Sequence, residues 1–345
     1  MYGDVAASAA AIHILRDCRH IPRANHYTIG FVDQFGLRKS WPTSAYVRYS
    51  EEDFTTLVEL NLRGSSGLLL WSFIDNENIA GFLGSMTRLT PDEVRTHQVR
   101  WTEAYSKRLS LPPLEPRNLE PAPLPESVKP YIDDLGSSPI FAVLRAQHPE
   151  FEIRLVPVDQ LVCPLALIDN AYLEELRAEL QGNDFQDYVR FALPKTLSAA
   201  LKVASSDPTM HSVTFISQQK TVAVGPVQLQ QTADGLEVKF TIASTLAMIF
   251  VSQVGERLIL KTGVHRSFLL AQLGIKQIPC IFVRESQLQN PLSAAYPSFH
   301  PGILLQPRPP LLTDLFDPSL STEIPLHNTR KVIRISAEES IIPID

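Results

Sequence analysis

Residues 257–285 constrain the fold more than any other part of the chain. An apolar run at 258–260 is followed by Gly263, by a stretch with apolar residues at helical spacing, and by Gly274 before a second apolar run at 278–283. Short apolar runs are typical of buried strands, and a glycine after a periodic stretch is typical of a helix end. The pattern predicts strand, tight turn, helix, turn and strand, and therefore a mixed α/β protein of the α+β class.

The first turn of this helix carries two side chains rich in hydrogen-bond donors, His265 and Arg266. Free backbone N–H groups and the helix dipole favour an anion at a helix start, and a guanidinium adds a bidentate donor. Gly263 lets a ligand approach the backbone closely. We therefore expect an anion pocket formed by Gly263, His265, Arg266 and the neighbouring Ser267. A capped helix with solvated basic residues is the alternative.

Composition argues against several classes of protein. The net charge is −6 and the pI about 5.9, whereas proteins that coat nucleic acid are usually basic. The composition does not argue against a local basic pocket that binds nucleic acid. The three cysteines form no C-x-x-C pair and no signal-peptide pattern is present, which favours a reducing cytoplasm. The sequence has no run of about 18 apolar residues, so we expect no membrane span.

The 27 prolines mark the expected domain boundaries. Residues 111–126 are too rich in proline for a helix or a central strand and indicate an extended linker. A mixed N-terminal module of unknown role is expected at residues 1–110, followed by the linker at 111–137. A domain with a β-rich insertion at about 183–243 is expected at 138–290. A proline-rich extension that ends in a strand is expected at 291–345.

Local signals place individual elements. Thr90 followed by Pro91 and two acids predicts a helix start, and Asp169 or Asn170 is a suitable cap for a second helix. The Asp-Gly pair at 234–235 predicts a β-hairpin. Residues 51–62 have helical periodicity, and 183–210 are also expected to be helical.

Residues 249–285 resemble the core of the ParB/sulfiredoxin superfamily. That core has a strand pair, then G-x-[HR]-R, a helix ending in L-G, and V-P-V-x-V; this chain has G-V-H-R, Q-L-G and I-P-C-I-F-V in the same order. The upstream V-P-V-D-Q-L-V at 156–162 resembles the family's opening strand. The resemblance implies that Gly263, His265 and Arg266 hold a phosphate, either of CTP or ATP or of nucleic acid.

Three departures narrow what the resemblance implies. Val264 stands where sulfiredoxins have their catalytic cysteine, so redox chemistry is not supported. Only 60 residues follow Glu285, and they show no helix-turn-helix of the kind that chromosome-partitioning members carry. The family's Q-P-R near the first strand is replaced by C-P-L at 163–165, so a second nucleotide-contacting arginine is missing.

Catalytic and metal-binding side chains are less clearly marked. Glu174 and Glu256 are the leading candidate catalytic acids, and Asp169 and Glu175 at the same helix start as Glu174 are further candidates. Helix starts and turns also favour acids without any catalysis. Lys261 and Arg257 flank the strand before Gly263 and either reinforce the pocket or lie on an exposed sheet face. The spacing of His13, Cys18, His20 and His26 matches no zinc motif, so no metal site is expected there.

The leading interpretation is a cytoplasmic, ParB-like nucleotide-binding domain, leaning towards hydrolysis of a nucleoside triphosphate with Mg²⁺. The alternative is a non-catalytic protein that senses a phosphorylated ligand or docks on a protein partner in a DNA-modification or defence complex. The acidic net charge and the weak set of acids favour that alternative. A Mg²⁺-dependent nuclease or kinase is a further alternative.

Overall fold

A computed structural model describes most of the chain beyond residue 64 and three short segments before it. The described residues are 8–16, 27–32, 38–39, 65–87, 89–115, 120–195, 201–206, 212–217, 223–224, 228–232, 235–244, 248–288, 298–327 and 331–336. The helix expected at 51–62 lies outside them. None of the described helices is long and apolar enough to cross a membrane.

The described residues form both helices and strands, which confirms the α+β class. The helices are α1 (Asn76–Met86), α2 (Pro91–Leu109), α3 (Lys129–Gly136), α4 (Pro139–Gln147), α5 (Asn170–Glu179), α6 (Phe185–Ala192), α7 (Val264–Gln272) and α8 (Pro301–Leu304). Short 3₁₀ helices cover Trp71–Phe73, Glu126–Val128, Val158–Gln160 and Leu312–Phe316.

The strands are β1 (Ser8–Arg16), β2 (Tyr27–Val32), β3 (Arg38–Lys39), β4 (Ser65–Leu69), β5 (Glu152–Pro157), β6 (Leu161–Val162), β7 (Leu167–Asp169), β8 (Leu201–Ser206), β9 (Ser212–Ser217), β10 (Ala223–Val224), β11 (Gln228–Thr232), β12 (Gly235–Ser244), β13 (Phe250–Val254), β14 (Arg257–Thr262), β15 (Gln277–Glu285), β16 (Thr322–Leu326) and β17 (Lys331–Ser336).

The chain forms two compact units. The first, here called the strand unit, combines residues 1–62, 197–245 and 329–345. One of its sheets has the order β10-β12-β1-β2-β3, with β11 also paired to β12, and the other has the order β17-β9-β8. β11 and β12 form the predicted hairpin, since their antiparallel pairing extends to Thr232 opposite Gly235.

The second, here called the mixed unit, combines residues 63–196 and 246–328. Its five-stranded sheet has the order β5-β15-β13-β14-β6, with β13 parallel to β15 and antiparallel to β14. A three-stranded sheet has the order β16-β4-β7. The core includes residues from both sheets and from α7, among them Leu69, Ile168, Ile259, Leu269 and Ile281, which are all fully buried.

The helix starts follow the sequence signals. The Thr90 side chain accepts a hydrogen bond from the Glu93 N–H, and the Glu93 carboxylate accepts one from the Thr90 N–H, so the predicted start of α2 is a complete capping box. Asp169 caps α5, because its side chain accepts from the Ala171 N–H at 3.1 Å.

The units differ from the expected domain boundaries. Residues 65–110 belong to the mixed unit, because β4 pairs with both β16 and β7. Within the expected linker, Ala122 exchanges two backbone hydrogen bonds with Leu155, and residues 129–136 form α3. Pro130 does not prevent this helix because it stands in the first turn, where no backbone donor is lost.

The expected insertion also has different limits. Helix α6 belongs to the mixed unit, and the part of the chain that joins the strand unit is 197–245. Within 183–210, expected to be helical, residues 201–206 form strand β8, which pairs antiparallel with β9. The extension at 291–345 is shared, since β16 belongs to the mixed unit and β17 to the strand unit.

Candidate functional site

The strand–turn–helix segment at the end of β14 has the predicted form. Leu258, Ile259 and Leu260 are fully buried in the five-stranded sheet. Gly263 follows with φ 75° and ψ 21° and is the N-terminal cap of α7. A Cβ at this position would lie 2.7 Å from the Ile249 Cα, so both the left-handed backbone and the space require glycine.

The start of α7 is far more buried than the expected pocket. Every residue from 264 to 270 is buried, including His265 at 5% and Arg266 at 4% exposure. If this were only a capped helix with solvated basic residues, the His265 and Arg266 side chains would be exposed to solvent. Burial of these side chains instead requires partners inside the protein, because an unpaired buried charge is costly.

His265 connects the start of α7 to the start of α5. Its Nε2 accepts a hydrogen bond from the Asp169 backbone N–H at 3.0 Å, and its ring lies edge-on to Tyr172 at a centroid distance of 5.1 Å. Accepting at Nε2 means that this nitrogen carries no proton. The histidine therefore joins the first turn of α7 to the end of β7, where Asp169 caps α5.

Arg266 connects α7 to α5 and α6. One terminal nitrogen donates to the Phe191 carbonyl at 2.9 Å, and the other donates to the Glu179 carboxylate at 2.6 Å. The guanidinium carbon also lies over the Phe191 ring, 4.6 Å from its centroid. The sequence predicted an exposed guanidinium that binds a phosphate. In the structure this guanidinium is buried and pairs with the Glu179 carboxylate.

Two buried donors in this first turn have no partner among the described residues. They are the Nε of Arg266 and the Oγ of Ser267, whose side chain is fully buried. The large majority of buried side-chain polar atoms in folded proteins have a hydrogen-bond partner. Trp71 Nε1 and Ser72 Oγ are a second adjacent pair of this kind, so the basic side chain of Arg266 and its place at the start of α7 are what mark residues 266 and 267 as the candidate for binding an acceptor.

The cations on β14 have partners elsewhere. Lys261 forms an ion pair with Glu285 at 3.2 Å, with side-chain exposures of 13% and 8%. Arg257 donates to the carbonyls of Leu114, Gln306 and Pro307. Both side chains stabilise the packing around the sheet. Neither of the two expectations, an exposed sheet face or a reinforced anion pocket, describes them.

The two leading candidate catalytic acids lie away from the start of α7. Glu256 is exposed in the turn before β14, and a six-residue strand separates it from Gly263 by about 20 Å. Glu174 is exposed and paired with Arg177 at 2.8 Å. Arg177 in turn donates to Gln272, the last residue of α7, so Glu174 is directed towards the opposite end of that helix.

One predicted acid, Glu175, and one that was not predicted, Glu179, lie on the side of α5 near Arg266. Glu179 is its ion-pair partner, and Glu175 is half-buried one turn earlier on α5. Burial first, and then the nearby Asp169 and Glu179 carboxylates, raise the pKa of Glu175 above its usual range. Burial also raises the pKa of the Tyr172 hydroxyl. The helical spacing of Tyr172, Glu175 and Glu179 could have shown that they share one face.

The described residues include no group of three or more His, Cys, Asp or Glu side chains that could hold a metal ion. Cys18, His20 and His26 lie outside the described residues. Near Arg266, Glu179 is already used in an ion pair, so these residues do not fit a Mg²⁺ ion held by the protein alone. Cys163 and Cys280 are buried, and burial raises the pKa of the Cys163 thiol to about 12, which suits packing and not thiolate chemistry.

Comparisons with protein-family models, with curated proteins and with solved structures found no match to this chain.

Proposed function

We propose that the start of α7 binds a phosphate group of a nucleotide, and that the protein senses this ligand without hydrolysing it. The site, here called the α7 corner, consists of Gly263, His265, Arg266 and Ser267. The observation that carries the proposal is the pair of buried donors without a described partner, Arg266 Nε and Ser267 Oγ. The sequence resemblance of residues 249–285 to the core of the ParB/sulfiredoxin superfamily supports the same ligand class.

The Glu179 carboxylate would give way to the phosphate. It is the more exposed partner of the ion pair, at 32% against 5% for Arg266, and it is the last residue of α5. A phosphate accepting from Arg266 Nε and Ser267 Oγ would lie beside this carboxylate and repel it. Rotation of Glu179 towards solvent would leave the guanidinium to the ligand, which can accept from it more than one charge-assisted hydrogen bond.

The positions of Glu174 and Glu256, the two leading candidate acids, argue against hydrolysis by either of them. A general base must come within hydrogen-bond reach of the attacking water, either directly or through one other water. Glu256 is about 20 Å from Gly263 along β14, and Glu174 is paired with Arg177 towards the other end of α7. Neither candidate is suited to activate water at a phosphate held in the α7 corner.

Titration calorimetry with ATP, CTP, GTP and ADP, each with Mg²⁺, tests the proposal. We expect saturable binding of at least one nucleotide and no release of inorganic phosphate. Ser267→Ala should weaken binding by about tenfold, the equivalent of one lost hydrogen bond to a charged group, without lowering stability. It is preferable to Arg266→Ala, which would leave the partly buried Glu179 without its cation and destabilise the fold.

The matched control is Ser72→Ala. Ser72 is also a fully buried serine with an unpartnered hydroxyl, but it belongs to the 3₁₀ helix Trp71–Phe73, apart from the α7 corner in the chain. The Ser72→Ala variant should bind nucleotide as the unchanged protein does. Absence of binding to all four nucleotides, or equal affinities of the Ser267 and Ser72 variants, would reject the proposal.

A further inference from the structure

A cleft lies on the mixed unit between α3, α4 and β5. Its volume is about 360 Å³, near the lower end of the range of about 300–1,000 Å³ that small-molecule sites occupy. Such a space suits a ligand of amino-acid size better than a nucleotide. None of the residues proposed to bind the nucleotide phosphate lines this cleft, so the two sites are independent.

The wall of the cleft is apolar. Phe141, which is 1% exposed, and Phe151 meet edge to face with centroids 5.5 Å apart, and Ile132 and Ile153 line the same space. Ile132, Phe151 and Ile153 are only partly covered by the protein. An apolar group placed against them would remove this surface from water, which is worth about 25 cal/mol per Å².

Two opposite charges also line the cleft, Asp133 on α3 and Arg145 on α4. Both residues are exposed, and neither has an ion-pair partner among the described residues. This contrasts with the next acid on α3, Asp134, which pairs with Lys195. The Arg145 guanidinium lies against Gly136, where a Cβ would be 3.2 Å from one of its nitrogens, so the missing side chain leaves room for it.

We propose that this cleft binds a small zwitterion with an apolar side chain, of the class of a free aliphatic or aromatic α-amino acid. Arg145 binds the carboxylate, Asp133 binds the ammonium, and the side chain packs against Ile132, Phe151 and Ile153. A simple anion would be repelled by Asp133 and a simple cation by Arg145, whereas a zwitterion satisfies both charges.

Titration calorimetry on the full chain with L-leucine and L-phenylalanine tests this proposal. We expect saturable binding of at least one of them, with a dissociation constant of about 1 mM or lower. Arg145→Gln and Asp133→Asn should each weaken binding by at least about tenfold. Both residues are exposed, so these variants should unfold at the temperature of the unchanged protein.

Arg95→Gln is the control, since Arg95 is an exposed arginine on α2 that does not line the cleft. It should leave the affinity unchanged. A second control compares L-leucine with 4-methylpentanoate, which lacks the ammonium and should bind at least about tenfold more weakly. The proposal fails if neither amino acid binds at about 10 mM, if 4-methylpentanoate binds as tightly as L-leucine, or if the Arg145 and Asp133 variants bind like the Arg95 variant.

Discussion

Arg266 shows how far the chemistry of a single residue can be read from sequence. Its place in the first turn of α7, directly after a glycine turn, was predicted and is confirmed. Its partners were not, because Phe191 and Glu179 lie 75 and 87 residues earlier in the chain. A local pattern identifies a donor at a helix start, but only the packing of α5 and α6 decides which acceptor the donor meets.

Glu175 provides a pH-dependent prediction at this scale. Because burial and neighbouring acids raise its pKa in the folded protein, the ionised carboxylate costs stability at neutral pH. Glu175→Gln should therefore raise the free energy of unfolding at pH 7. The gain should shrink as the pH falls and disappear below about pH 4, where Glu175 is protonated in both the folded and the unfolded chain.

Urea unfolding of the variant and of the unchanged protein at several pH values measures this gain. Glu174→Gln is the neighbouring control, because Glu174 is exposed and its surface ion pair with Arg177 contributes little. A gain for Glu175→Gln that is the same at pH 4 and pH 7, or a loss at pH 7, would contradict the account.

At the scale of single elements, the connection from β14 to α7 depends on the backbone of Gly263. Gly263 and Gly274 both have positive φ, 75° and 83°, but only at Gly263 would a Cβ meet backbone atoms within 3 Å. Gly274→Ala should cost about 1–2 kcal/mol for its left-handed backbone alone. Gly263→Ala adds the steric clash and should cost about 2–5 kcal/mol.

Thermal or urea unfolding of these two variants compares a crowded and an open glycine at opposite ends of one helix. Equal losses of stability would show that the close approach of Ile249 and Met248 to Gly263 does not matter for the fold. A larger loss at Gly274 would contradict the prediction outright.

Elements governed by local signals were predicted well. The Thr90 capping box and the Asp169 cap both depend on residues within three positions of the helix start. Residues 201–206 and 129–136 were not predicted as a strand and a helix. Strand β8 exists because it pairs with β9, and α3 follows a proline-rich stretch whose Ala122 pairs with Leu155. The pairing of β8 with β9 is local, so residues 201–206 were missed because their own pattern is weak. Ala122 and Leu155 are far apart in the chain, and a local pattern does not reveal that pairing.

For the whole molecule, the α+β class and an interruption within the second half of the chain were predictable, but the limits of the units were not. The mixed unit closes across the interruption, since the Ile249 N–H donates to the Ala192 carbonyl at 2.9 Å. The strand unit draws β1–β3, β8–β12 and β17 from three separate parts of the chain. The proline content correctly indicated that the described residues 111–115 and 120–125 form neither a helix nor a regular strand. It carries no information about which distant strands pair.

In the proposed site, Arg266 exchanges an internal carboxylate for a nucleotide phosphate. The most direct measurement follows the Arg266 Nε–H resonance in ¹H–¹⁵N spectra, identified by its loss in Arg266→Lys, while a nucleotide with Mg²⁺ is added. Nε is the guanidinium donor without a partner among the described residues, so this resonance should shift as the new hydrogen bond forms and should saturate with the binding isotherm. A resonance that stays unchanged while calorimetry shows the nucleotide bound would contradict the claim.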